Sequence, residues 1–333
     1  MEIMNNDAVR NVVNDVSDQL RRALFQAREV NAANYIHVVL DPNHPVAPFD
    51  SLHPDHLEQR VPSVKFHRSM RADFQHQPEL CPLVVTLYSP GDRGYRDEEL
   101  LLETVDNAVS RCASVNGSYV CGWIATTLNG EEFARHIAVS SILSHPLSGR
   151  KVLPWFEPHR LALIVDRYPS FAWSRLTNIS SWWFVDMLQQ LRVVSPPEVG
   201  RNNIIDARST LLPLSGRQVS AVWDDQRRIR EAKLVAMAMR KAGLSLPEFP
   251  EVTLDKVVRQ AYENGLYGQQ DVVFFAMNCL TLSEDWFLHP VVQAALEALA
   301  GTDELTLTDI LAGHSDAVLH EIASYESAGS APK

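Results

Sequence analysis

Apolar residues recur at three- and four-residue steps at Val9, Val12, Val13, Val16, Leu20 and Leu24, so Asp7 to Val30 predicts a helix with one apolar face. The period then shortens. Tyr35 to Asp41 is a β-branched run stopped by Pro42, and Pro82 to Ser89 is another, stopped by Pro90 and Gly91; both predict buried strands. Asp97 suits the N-cap of a helix carrying Leu101, Leu102, Val105, Val109 and Cys112. Tyr119 to Ala125 predicts a further strand, and Asn129-Gly-Glu-Glu132 reads as a capping box opening a helix that runs to about Leu143. Lys151 to Phe156 then predicts the last clear strand of the layer, with a helix opening at Pro158.

From about Ser215 the pattern is helical. Val219, Val222, Ile229, Ala232, Ala236 and Met239 mark one face of a long helix ending at Gly243, and Leu254 to Tyr262, Gln269 to Cys279 and Val291 to Leu299 repeat the period. The fold class is therefore α/β: an N-terminal α/β lobe with a mixed sheet flanked by helices, followed by an all-helical C-terminal lobe. The expected organisation is an N-terminal helix over 1–30, an α/β domain over 31–200, a helical lobe over 201–326 and a small, polar, disordered tail over 327–333.

Composition narrows the class. A chain of 333 residues with 46% hydrophobic content can bury a sizeable core. Its start lacks the basic and apolar regions of an export signal, and no apolar run is long enough for a membrane helix, so a cytoplasmic location is expected. Cys81, Cys112, Cys121 and Cys279 form no C-x-x-C pair and are read as small buried hydrophobes. The net charge of −11 argues against nucleic-acid binding. Glu251 to Lys333 holds thirteen acidic residues against three basic ones, whereas Arg217 to Lys241 holds seven basic against three acidic. Those two segments either meet within the fold or form the rim of a partner surface.

The common nucleotide-binding, hydrolase and zinc-protease motifs are absent. Ser89-Pro-Gly-Asp-Arg-Gly94 could offer backbone donors and Arg93 to an anion, although its composition is that of a plain turn. His37, His44, His53, His56, His67 and His76 crowd a short stretch, and His53 and His56 with two acids could hold a metal. Pro54 between them disfavours helical pairing, which predicts a loop with solvated histidines. Glu157 and His159 are either an acid-base pair or, for Glu157, the cap of the helix that Pro158 opens.

Gly122-Trp-Ile-Ala, Glu131 to His136, and Gly149-Arg-Lys-Val-Leu-Pro-Trp-Phe-Glu-Pro-His-Arg-Leu161 together resemble the signature of the type VI secretion effector adaptor family (domain of unknown function 4123). The strands at Tyr35, Pro82 and Ile179 to Phe184 fall where that family has strands, so the likeness covers about residues 30 to 200. Pro154 stands where the family most often has arginine, and His159 where it often has a second.

The resemblance implies a non-catalytic adaptor or chaperone that binds one toxic effector and helps load it onto the VgrG trimer and PAAR tip, without cofactor or metal. Trp155, Phe156, Glu157, Pro158 and His159 are then structural. Aromatics and arginines anchor most partner surfaces, which makes Trp223, Arg227, Arg228, Arg230, Trp286 and Phe287 the candidate contacts. Of Trp182 and Trp183, pointing to opposite faces of one strand, one is expected in the core and the other could face a partner. The alternatives are a metal-dependent hydrolase using His53 and His56, and a small-ligand binder using Arg93.

Overall fold

The computed structural model describes residues 6–60, 65–112, 114–115, 117–145, 149–196, 226–283, 285–299 and 305–325. The chain divides into two compact units, residues 1–224 and 225–333.

In the first unit the chain runs through α1 (Asn6–Val30), β1 (Tyr35–Leu40), α2 (Pro54–Gln59), β2 (Lys65–Arg68), β3 (Leu83–Tyr88), α3 (Glu98–Arg111) and β4 (Val120–Thr126). It continues through α4 (Gly130–Ser140), β5 (Ile142–His145), β6 (Gly149–Val152), α5 (Pro158–Arg167), α6 (Pro169–Arg175), β7 (Ile179–Val185) and β8 (Leu191–Val194). Six strands form one sheet in the order β2-β3-β1-β4-β7-β8.

The α/β character is as the pattern predicts, but the sheet is antiparallel at every pairing and not mixed. Helix α3 carries the chain from β3 to β4, two strands that run the same way, and β1 lies between them running oppositely. A split crossover of this kind gives alternating strands and helices in sequence without any parallel neighbours.

Strand periodicity puts successive side chains on opposite faces, and both faces are covered. Ile36, Val38, Leu83, Val85, Trp123, Trp183 and Val185 join an apolar cluster with Val16, Leu20 and Leu24 of α1 and Leu101 and Val105 of α3. Val39, Val84, Ile124, Trp182 and Phe184 join Phe133 and Ile137 of α4, Leu161 of α5 and Phe171 of α6 on the other face. Both tryptophans of β7 are therefore buried, at 0% and 5% exposure, and neither is available as a contact. The expectation that one faced outward fails because a sheet covered on both faces has no free one.

Caps locate the helices where the sequence places them. Asp97 accepts the N–H of Leu100 at α3, and Asn129 with Glu132 forms a reciprocal capping box at α4. That helix stops at Ser140, however, because Ile142 to His145 turns into β5. Among the described residues strand β5 pairs with β6 alone, so Gly149–Val152 belongs to a separate hairpin and is not the last strand of the main sheet. Trp155 and Phe156 follow it in a turn, where the Trp155 indole donates to Ser140 Oγ at 3.1 Å and its ring meets Trp182 at 5.2 Å.

The second unit is helical: α7 (Gln226–Lys241), α8 (Pro250–Glu263), α9 (Gln269–Thr281), α10 (Pro290–Leu299), α11 (Leu307–Ala312) and α12 (Asp316–Ala323). Helices α7, α8 and α9 pack on one another. Ala232, Val235, Leu254, Val258, Val272 and Phe275 are fully buried there. Gly243 ends α7 at a φ of 72°, and the following N–H of Leu244 returns to the Met239 carbonyl at 2.9 Å, a left-handed C-terminal stop. Val219 and Val222, and the tail from 327, lie outside the described residues.

No helix among the described residues is long and apolar enough to cross a membrane.

Candidate functional site

Strand β1 ends at Leu40, and Asp41 keeps the chain attached to β4 by donating its N–H to the Tyr119 carbonyl at 2.7 Å. Pro42 then fixes the backbone for a tight turn. The turn closes with the N–H of His44 on the Asp41 carbonyl at 2.9 Å and the N–H of Asn43 on Asp41 Oδ1 at 3.0 Å. It brings the imidazole of His44 to Glu157, the residue before α5, with Nε2 3.5 Å from Oε1 and 3.9 Å from Asp41 Oδ2. Gly117, at a φ of 90°, backs the ring so closely that a Cβ there would lie 2.3 Å from His44 Nδ1.

Pro158 is the first residue of α5, but the carboxylate of Glu157 does not cap the helix. It accepts from Arg160 Nε at 2.8 Å, one turn on, while its other oxygen faces His44. An acid-base pair of Glu157 with His159 is not what the fold builds: His159 is buried at 6% exposure and the partners of Glu157 are Arg160 and His44. Burial alone would raise the Glu157 carboxyl, yet Arg160 and His44 outweigh it and hold it down at about 2. Asp41 goes the other way. Full burial pushes it up to about 6, with repulsion from Glu157 added, against the pull of His44 and Arg71. Arg71 is committed elsewhere, forked on Asp73 with its guanidinium over Phe74 at 4.8 Å and Phe156 at 5.6 Å.

Trp155, Phe156, Pro158 and His159 are all buried around this corner, and Trp155 and Phe156 share an apolar cluster with Leu161 of α5 and Trp182 of the sheet. Pro154 precedes them at the centre of a tight turn, closed by the N–H of Trp155 on the Leu153 carbonyl at 2.8 Å.

The other histidines go to different places. His53 caps α2, its Nδ1 accepting the N–H of Asp55 at 3.3 Å, and Pro54 opens that helix. The His53 to His56 segment is thus a short helix and not the expected loop: proline excludes a helix interior but suits its first position. Among the described residues the trio of ligand types that converges is Asp41, His44 and Glu157, and His53 and His56 do not belong to it. His37 sits inside the sheet, His67 on β2, and His76 is exposed.

Burial keeps His37 neutral: Nε2 donates to the Leu128 carbonyl at 3.0 Å, which leaves Nδ1 to accept from Thr86 Oγ1 at 3.2 Å, between the rings of Tyr35 and Phe133. Burial, aided by His67, lowers it from 6.5 to about 4 against the Leu128 bond. Below pH 6.5 the unfolded chain binds a proton that the folded one refuses until about pH 4, so stability falls as pH drops through that window. The loss amounts to about 3 kcal/mol. Melting temperature against pH is expected to show this slope and His37→Phe to flatten it; an equal slope in both proteins would assign it elsewhere.

The loop around Arg93 is a turn. Gly91 takes a φ of 91°, and the loop's own Asp92 accepts the N–H of Ser89 and the guanidinium of Arg96, both at 2.9 Å, so a carboxylate already fills the place offered to an anion. Arg93 itself is exposed.

Of the candidate contacts, Trp223 lies outside the described residues. Trp286 is 1% exposed and donates to Cys279 Sγ at 3.3 Å between Phe274 and Phe275, which makes it core and not contact. Phe287 is half-buried against Phe275. Arg227 pairs with the buried Glu231 at 3.0 Å and donates to the Tyr267 carbonyl, and Arg228 pairs with the buried Asp255 at 3.3 Å. The Arg228–Asp255 pair is where the basic and acidic segments meet inside the helical unit, and reversing Arg228 would set a carboxylate against the buried Asp255; the Arg227 pair stays within α7. Arg230 is exposed.

Arg230, Leu234, Met237 and Lys241 follow one another at four, three and four residues along α7, hence on one face. Beside this face a groove of about 1090 Å³ opens between α7, α9 and α11, lined by Leu234, Met237, Leu244, Val273, Phe274 and Met277 among others. Met237 is 51% exposed and Leu244 39%. Sequence pattern missed this groove, because its apolar residues share the helical period of the core.

Asp41 and Gly117 were missed as well. The signal for Asp41 was an acid at the end of an apolar strand, directly before a proline.

Comparison of the chain with protein-family models, with curated proteins and with solved structures finds no match in any of the three.

Proposed function

We propose that this protein is a non-catalytic adaptor that binds a toxic effector of a type VI secretion system in the cytoplasm of the producing cell and helps load it onto the VgrG/PAAR spike. The observation that carries the reading is the open apolar groove of the helical unit, with Met237 and Leu244 in solvent and Arg230 and Lys241 on the face that borders it. Such a groove suits the apolar stripe of a partner helix, and its two methionines, Met237 and Met277, can repack around different side chains. The resemblance of residues 30 to 200 to the adaptor family supports the nature of the partner. The burial of Trp155, Phe156, Pro158 and His159 supports a structural role for the shared motif.

The test is co-purification of the tagged protein with the effector from its native cytoplasm, followed by affinity measurement on Met237→Asp and Arg230→Glu. Both positions are exposed, so melting temperature is expected to stay within about 0.5 kcal/mol equivalent of the parent. Effector affinity is expected to fall at least about tenfold in Met237→Asp, which is the loss of one well-placed anchor. Full affinity in that folded variant would remove the groove from the interface, and repeated recovery of the protein without any effector would remove the adaptor reading.

A further inference from the structure

We propose that Asp41, His44 and Glu157 form a binding site for one divalent transition-metal cation of the zinc type, which ties the end of β1 to the start of α5. The inference goes beyond the adaptor reading and does not depend on it.

Three donor types converge from distant parts of the chain: Asp41 Oδ2, His44 Nε2 and Glu157 Oε1, with a donor atom from each within 4.8 Å of the others. Donors on one zinc ion, at bonds of about 2.0–2.2 Å, stand about 3.3–3.6 Å apart. His44 and Glu157 are already 3.5 Å apart, and His44 and Asp41 3.9 Å. Imidazole nitrogen with two carboxylates is a donor set that zinc accepts, and three protein ligands leave a position for water.

A second observation points to a ligand independently of the clustering. Asp41 is wholly buried, and its Oδ2 has no hydrogen-bond donor. Its Oδ1 is satisfied by the Asn43 N–H, and the distance to His44 Nε2 is beyond hydrogen-bond reach. A buried carboxylate oxygen aimed at an imidazole and a second carboxylate without a donor is costly unless a cation completes it.

The surroundings hold the donors in place. The Asx turn through Asn43 orients Asp41, Gly117 makes room for the imidazole, and Arg160 takes Glu157 Oε2 so that Oε1 is turned to His44. Outer contacts of this sort orient metal ligands and tune affinity.

The experiment uses the full chain, freed of any histidine tag and stripped with chelator, and titrates Zn²⁺ or Mn²⁺ by calorimetry alongside melting curves. The expected result is one saturable equivalent that raises the melting temperature, with affinity reduced at least about tenfold in His44→Gln and in Asp41→Asn. His44 is partly exposed, so His44→Gln is the variant expected to keep the fold if Asp41→Asn does not. The double variant His53→Gln, His56→Gln is expected to bind as the parent does. Absence of a saturable equivalent in the parent would overturn the site, as would undiminished binding in folded His44→Gln or loss of binding only in the His53, His56 variant.

Discussion

Replacing Gly122 by alanine is expected to cost the first unit several kcal/mol and to lower its melting temperature by about 10 °C. Gly122 lies in the middle of β4 at a φ of 139°, a conformation that L side chains rarely adopt. A Cβ built there would stand 2.3 Å from the Trp183 carbonyl oxygen and 2.4 Å from Trp182 Nε1. Neither neighbour can withdraw. The carbonyl belongs to the adjacent strand, and the indole of Trp182 is fully buried, with its N–H on the Cys121 carbonyl at 3.3 Å. Backbone strain of about 1–3 kcal/mol adds to about 1–3 kcal/mol for overpacking a filled core. Here the register of β1 on β4 also slips, from Val39 opposite Gly122 to Leu40 opposite Val120, so the glycine marks a bulge that larger residues would not share. Thermal denaturation of Gly122→Ala measures the effect, and a melting temperature equal to the parent's would show that the sheet relaxes around the added methyl.

Arg160→Met is expected to destabilise by about 3–5 kcal/mol, while Glu157→Gln combined with Arg160→Met recovers most of the loss. The side chains of Arg160 and Glu157 are only 5% and 13% exposed, so removing the guanidinium leaves a buried carboxylate beside Asp41. The pair also has a pH signature. The Glu157 carboxyl is depressed from 4.5 to about 2, so its contribution is present above pH 4.5 and is lost as pH falls towards 2. That window lies below most of the one set by His37, and the two can be separated in one profile. Chemical denaturation of the single and double variants gives the coupling; a single-variant loss under about 1 kcal/mol would place this pair among ordinary surface ion pairs.

The legible part of the fold was local. Asp97 and Asn129 each place a side-chain oxygen on an orphan N–H of the helix that follows, and Pro158 has no N–H to leave unsatisfied, so these starts could be read directly. Strand β2 could not be read, since Lys65–Arg68 is a polar edge strand without alternation, and its place comes from pairing with β3. Strand β5 reads as the end of α4, and the strand at Lys151 as part of the main sheet, for a similar reason. Short strands are specified by what they pair with, not by their own pattern.

The candidate contacts divide in the same way. An arginine on a helix reads alike whether its partner is solvent, another protein or a carboxylate of its own fold. The buried Asp255, on the next helix, claims Arg228, and Glu231, one turn along α7, claims Arg227. Trp286 has the size and polarity of an interface anchor, and its indole N–H finds Cys279 inside the unit.

The amino-acid sequence alone determined the α/β class, the helical character of the second unit, the caps and the apolar faces, because each depends on neighbours within a few residues. Tertiary structure decided the antiparallel sheet, the burial of both tryptophans of β7 and the meeting of Asp41, His44 and Glu157. Those depend on which distant segments share a face, and free energies of pairing and burial exist only once the chain has closed the loops between them.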